Sequence, residues 1–189
     1  MVSQVSSNFY DHELSQLSNS FEDALAVDIN HFKHAIASTS EFGIIGVGSG
    51  GSYTVASLLC NLHETYTGRV SRPSTPLELI CNPNLASTSP VFLISAEGKN
   101  PDIVEALKRA RGHSSRTIHV LTNRDASPLM EKVRGLSGIT PHVFELAEKD
   151  GYLATNSLLF DAVLIARSYE ELDGSKNKLP NSIDELCIG

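Results

Sequence analysis

Residues 46–54, Gly-Val-Gly-Ser-Gly-Gly-Ser-Tyr-Thr, follow the apolar run of residues 43–47 and combine four glycines with hydroxyl side chains. Gly46, Gly48, Gly50 and Gly51 free the backbone to turn sharply and let a ligand approach main-chain N–H groups closely. A helix starting near Ser52 would aim its unpaired N–H groups and positive dipole end into that turn, a place that binds anions and most often phosphate. A turn that only lets strand and helix pack tightly is the competing reading, and the loop alone does not separate the two. Gly46-x-Gly48-x-x-Gly51 matches the dinucleotide fingerprint, but that fold also needs an acid about 20 residues on. Arg69 and Arg72 stand in that region instead, so dinucleotide binding is not expected. Gly50-x-Ser52-x-Thr54 lacks the closing glycine of a nucleophile elbow.

Three later segments carry the same kind of polar chemistry: Ser95 to Asn100, Thr122 with Asn123, and Thr155 to Ser157. Taken singly, each has a simple explanation as a helix cap or turn. His31 and His34 share a helix face with no cysteine or carboxylate set beside them, so they read as surface or interface histidines and no metal site is expected. Lys108, Arg109 and Arg111 read as the solvated face of a helix.

The elements that would position these segments follow from periodicity. Apolar runs at 43–47, 91–95, 117–122 and 141–146, rich in branched and aromatic residues, predict buried strands, with a weaker second strand between the first two. Helices are expected over 20–38, with Ser20 and Asp23 as an approximate capping box, then from 52 to Gly68, and over 102–111, 127–136 and 156–169. Strands alternating with helices specify βαβ units and a parallel sheet covered on both faces. The fold class is therefore α/β, a three-layer αβα sandwich on a five-stranded, mostly parallel sheet. Ligands in such sheets bind beyond the carboxyl ends of the strands, where the polar segments above converge.

The chain has 189 residues, enough for one well-buried domain, with residues 1–19 as an N-terminal segment, 20–170 as the domain and 171–189 as a tail or linker to a further domain. Fifteen basic against 22 acidic residues, net −7, give no general attraction for nucleic acid or anionic membrane, so a phosphate site must be local. No long apolar run or secretory leader is visible, which predicts a cytoplasmic protein. Cys60, Cys81 and Cys187 form no CxxC pair and read as reduced thiols.

Three stretches resemble the SIS (sugar isomerase) domain, the phosphosugar-binding fold of glucosamine-6-phosphate synthase. GVGSGGSYTVASLL is similar to that family's glycine loop and Ser-Tyr helix start. FLISAEGKNPDIVEALKRAR followed by TIHVLTN resembles its "ISxSGxTxDxxxAxxxAK" and "xxIxxTN" segments, and KDGYLATNSLLFDAVL stands where synthase-like members have "ASTKxF". The resemblance runs from about Asp23 to Tyr169. It implies an SIS or flavodoxin-like fold without a cofactor, binding a sugar phosphate, a nucleotide sugar or a related carbohydrate derivative. Gly48, Ser49, Gly51, Ser52, Ser95, Glu97, Asn100 and Thr155 become its ligand-binding candidates. If the chain is an enzyme, the implied chemistry is aldose–ketose isomerisation, with Glu78 as base and His63 and His113 as the other acid–base candidates. The alternative is a noncatalytic sensing or assembly module of a larger protein. A homodimer or a tandem SIS partner is also implied. The chain departs from the pattern at Ala96, Glu97 and Asn100, where hydroxyls of the phosphate wrap are replaced and a carboxylate is introduced. Glu97 would repel a phosphate unless Lys99 or solvent compensates.

Overall fold

In the computed structural model, which describes residues 10–146, 150–151, 154–174 and 179–188, the apolar runs join one sheet. Its strands are β1 (Ile45–Val47), β2 (Arg72–Ser74), β3 (Val91–Ile94), β4 (Ile118–Thr122) and β5 (Ile139–Val143). They lie in the order β2-β1-β3-β4-β5, every pairing parallel. All residues of β1, β3 and β4 are buried, as expected of central strands covered on both faces. β2 is an edge strand, which is why it tolerates Pro73 and an exposed Arg72 and why it was weak in the sequence.

Helices α1 (Leu17–Ala26), α2 (Asn30–Ser38), α3 (Gly51–Thr67) and α7 (Thr155–Asp173) cover one face, where Phe21, Phe32, Leu59, Phe92 and Leu164 form the core. Helices α4 (Pro76–Cys81), α5 (Pro101–His113) and α6 (Pro128–Arg134) cover the other, around Leu79, Leu107, Val120 and Leu129. The expected three-layer sandwich is thus present. A final helix, α8 (Ile183–Ile188), brings Ile183, with Leu179, back onto the first of these clusters. No helix among the described residues is long and apolar enough to cross a membrane.

The single helix expected over 20–38 is instead two. Val27 is extended at φ −63° and ψ 146°, and the Asp28 carboxylate accepts the N–H of Asn30 at 2.9 Å, restarting the chain as α2. Ser20 is not a cap either. It lies buried inside α1 and donates to Asn156 Oδ1 at 2.9 Å, tying α1 to α7.

Candidate functional site

Gly48 follows β1, and a Cβ there would run into the Ser52 backbone, so glycine lets the first turn of α3 fold directly over the strand end. Gly50 takes φ +57°, a left-handed conformation that favours glycine. α3 then starts with no side-chain cap and no acid in its first turn. The helices after the other strands differ. Thr75, Asn100 and Ser127 cap α4, α5 and α6 through their side chains, and each first turn carries an acid, Glu78, Asp102 or Glu131. At α7 the Asp150 carboxylate accepts the N–H groups of Asn156 and Ser157 at 3.1 and 3.0 Å. The positive end of α3 is therefore left open where its neighbours are neutralised.

β1 and β3 are adjacent, so the loop of Gly48, Ser49, Gly51 and Ser52 stands beside that of Ser95, Glu97 and Asn100. Ser49 is exposed, Ser52 half-buried and Ser95 buried, and none of the three hydroxyls makes a hydrogen bond among the described residues. Asn100 spends its Oδ1 on the N–H of Asp102 at 2.8 Å and keeps its amide N–H donors. A Cβ on Gly51 would lie 3.2 Å from Leu158 and 3.9 Å from the Ala154 carbonyl, so α3 begins against the start of α7. Thr155 is thereby adjacent to the glycine loop, its Oγ1 buried with no partner among the described residues.

Glu97 is not an isolated negative charge. Its Oε2 meets Lys99 Nζ at 2.9 Å and its Oε1 meets Arg124 Nε at 3.3 Å. Burial pushes the carboxyl up, but the hydrogen bonds and charge of Lys99 and Arg124 outweigh it and hold the group below the usual glutamate range. Glu78 lies on the same rim, after β2, and is committed locally. Its Oε2 accepts from the Thr75 N–H at 2.9 Å and from Ser74 Oγ at 3.2 Å, closing a capping box, while Oε1 pairs with Arg72 at 3.3 Å. The Thr75 N–H, above all, lowers its pKa against a small opposing effect of burial, which weakens it as a base.

The histidines lie elsewhere. His63 is buried between the Tyr169 hydroxyl and the Phe42 carbonyl, each at 2.9 Å. The carbonyl can only accept, so Nε2 carries the proton and Nδ1 accepts from Tyr169. His113 sits in the last turn of α5, at the opposite end from the rim. His119 and His142 are buried with Nδ1 and Nε2 3.2 Å apart, packed on Phe92 and Phe32, and burial drives them down to about 4 and about 3. The ring of His31 lies 4.8 Å from that of His142, an aromatic contact the sequence did not reveal. No group of three or more potential metal ligands is found among the described residues.

Three rim residues were missed by sequence reasoning: Arg124, Asp150 and Asp161. Asp161 is buried within α7 and accepts from Asn123 Nδ2 at 2.9 Å; the same amide reaches the Phe144 carbonyl at 3.1 Å, and the Asn123 N–H reaches Ala96. Burial lifts Asp161 to about 7, with the Asn123 hydrogen bond opposing and Asp150 adding to the rise. This pair fastens the loops after β3, β4 and β5 to α7. The available signal was Asp161 aligned with Ser157, Leu164 and Ser168 on the inward stripe of a helix.

No protein-family model matches the chain, and no curated protein matches it. Solved structures do. Tagatose-6-phosphate ketose/aldose isomerase from Escherichia coli superposes with a TM-score of 0.69 at 16% identity, over 87% of this chain and 48% of that one. An Escherichia coli CFT073 protein in complex with a sugar phosphate gives 0.64 at 17% identity, over 93% of both chains. The Vibrio vulnificus NanR protein complexed with ManNAc-6P gives 0.65 at 17% identity, over 99% of this chain and 71% of that one. The chain thus spans nearly all of one neighbour and about half the length of the tagatose-6-phosphate isomerase. Identities this low carry the fold: the chain has the SIS-type α/β sandwich that its motifs resemble.

Proposed function

We propose that this chain binds a sugar phosphate, or a related carbohydrate derivative, at the carboxyl ends of β1 and β3. The observation that carries the reading is the open N-terminus of α3, flanked by the uncommitted hydroxyls of Ser49, Ser52 and Ser95, in a fold with two neighbours solved with sugar phosphates, ManNAc-6P in one of them. In this reading the N–H groups of Gly51 and Ser52 and the three hydroxyls hold the phosphate. Gly48 keeps the loop thin, Asn100 offers its amide to the sugar, and Thr155 backs the loop. With Glu78 held in its capping box, binding without efficient isomerisation is the expected behaviour of this chain. The reading also carries a cytoplasmic location, in keeping with a buried free Cys60 and an exposed free Cys81, and a homodimer or tandem SIS partner.

A ligand-detected thermal shift across a panel of sugar phosphates tests it. A bound ligand at a hundred times its Kd stabilises the fold by about 2.7 kcal/mol, a clear rise in midpoint. A flat response to every phosphorylated sugar and to nucleotide sugars alike removes the assignment.

A further inference from the structure

Resting on the sugar-phosphate reading, we propose that Asp161 holds a proton in the binding-competent protein and donates it to Asn123, and that this pair positions the Ser95–Asn100 loop, so that rising pH loosens the phosphate site. Asp161 reaches the loop through hydrogen bonds in series. Its Oδ1 accepts from Asn123 Nδ2 at 2.9 Å, the Asn123 N–H donates to the Ala96 carbonyl at 3.0 Å, and Thr122 Oγ1 donates to the same carbonyl at 3.1 Å. Ala96 stands between Ser95 and Glu97, so the grip on its carbonyl sets where that loop lies beside the glycine loop. Asn123 Nδ2 also holds the Phe144 carbonyl at 3.1 Å, so turning this one amide slackens the loops after β3, β4 and β5 together.

An unpaired acceptor places the proton. Asn123 is 2% exposed, and its Oδ1 is buried with no partner among the described residues although Nδ2 has two. An ionised carboxylate can only accept and leaves that oxygen unpaired, at a cost of about 1–3 kcal/mol. A carboxylic acid supplies the missing donor and closes a two-bond acid–amide pair. Burial has already lifted the Asp161 carboxyl to about 7, with the Asn123 hydrogen bond opposing and Asp150 adding to the rise. The charged groups of the surrounding elements give it no counter-charge. Asp150, before α7, is of like sign and accepts the Asn156 and Ser157 N–H groups; Glu13, ahead of α1, accepts from the Gly151 N–H. Arg124, after β4, is bonded to the Leu146 carbonyl and to Glu97, and Asp23 of α1 lines a cavity with it. Cys60 and His63 of α3 lie at Tyr169, further along α7. Ionisation therefore sets a buried anion against the Asn123 oxygen, turns the amide and releases Ala96. A bound phosphate opposes the same ionisation by its charge, and by linkage the ligand holds the proton as firmly as the proton holds the ligand.

Isothermal titration of the full chain with ManNAc-6P and with inorganic phosphate, at about pH 6.5 and about pH 8, tests this in wild type and Asp161→Asn. The ligand's own ionisation is common to both proteins and cancels in their ratio. Wild type is expected to lose about tenfold in affinity relative to Asp161→Asn over that interval, the span of a group that must keep its proton and titrates near 7. In the ligand-free wild type, the Asn123 side-chain amide and the Ala96 and Glu97 N–H signals are expected to titrate together near pH 7 by NMR, a readout that needs no variant. If both proteins bind ManNAc-6P and change with pH in parallel, the proton's role is refuted while the sugar-phosphate reading stands. If the ligand-free signals titrate together and neither protein binds a sugar phosphate, the proton-held pair stands and the sugar reading falls. Signals that do not titrate, with no binding of either anion, overturn both.

Discussion

Asp161→Asn is expected to make the protein more sensitive to acid, although it removes an acidic group. Asp161 is buried beside Asn123 and is raised from its ordinary 3.8 to about 7. Between those values the folded state holds a proton that the unfolded state releases, so this group adds stability as pH falls from 7 to 5, by about 2 kcal/mol. His119 and His142 act the other way. They fall from 6.5 to about 4 and about 3, so below pH 6.5 the unfolded chain takes up protons that the folded chain refuses. Each costs about 2 kcal/mol by pH 5. These three groups together contribute a loss of about 2 kcal/mol between pH 7 and pH 5, and removal of the Asp161 contribution raises their loss to about 4 kcal/mol. The asparagine amide can still accept from Asn123 Nδ2 and can donate to Asn123 Oδ1, which is buried with no partner among the described residues, so the fold is kept. Urea unfolding followed by circular dichroism at both pH values measures the two losses. An Asp161→Asn variant whose stability changes with pH no more than wild type would refute the reasoning.

Ser52→Ala and Ser95→Ala should each weaken phosphosugar binding by about 1–3 kcal/mol with little change in thermal midpoint, read by isothermal titration; unchanged affinity in both removes them from the site. Deuterium wash-in at C2 of fructose 6-phosphate, followed by NMR in D₂O, should be slow or absent because Glu78 is a capped, ion-paired carboxylate; rapid exchange that is lost in Glu78→Gln would make it the base after all. Light scattering at tens of micromolar, on the order of weak interface affinities, should return at least a dimer; a mass near 20.4 kDa counts against the proposed pairing.

The central strands were legible because β1, β3 and β4 are buried on both faces and so read as unbroken apolar runs. β2 was faint because an edge strand is free to hold Arg72 and Pro73. The break between α1 and α2 escaped because neither glycine nor proline marks it; Asp28 does, by a turn that the amphipathic pattern on either side hides. The glycine loop was legible through chain-local constraints, the close approach at Gly48 and the left-handed Gly50. Arg124 and Asp161 were not, since their roles depend on partners far away in sequence: Glu97 for Arg124 and Asn123 for Asp161, each brought near only by the sheet. The Glu97 departure was read as repulsive, with Lys99 or solvent as the offset; the second cation came from the loop after β4.

Amide chemical-shift mapping with a sugar phosphate such as ManNAc-6P tests the central claim most directly. The account predicts saturable shifts concentrated at Gly48–Ser52 and at Ser95–Asn100, with the Gly51 and Ser52 N–H signals moving most as they receive the phosphate. No shifts at millimolar ligand, or shifts gathered at the amino ends of the strands instead, would contradict it.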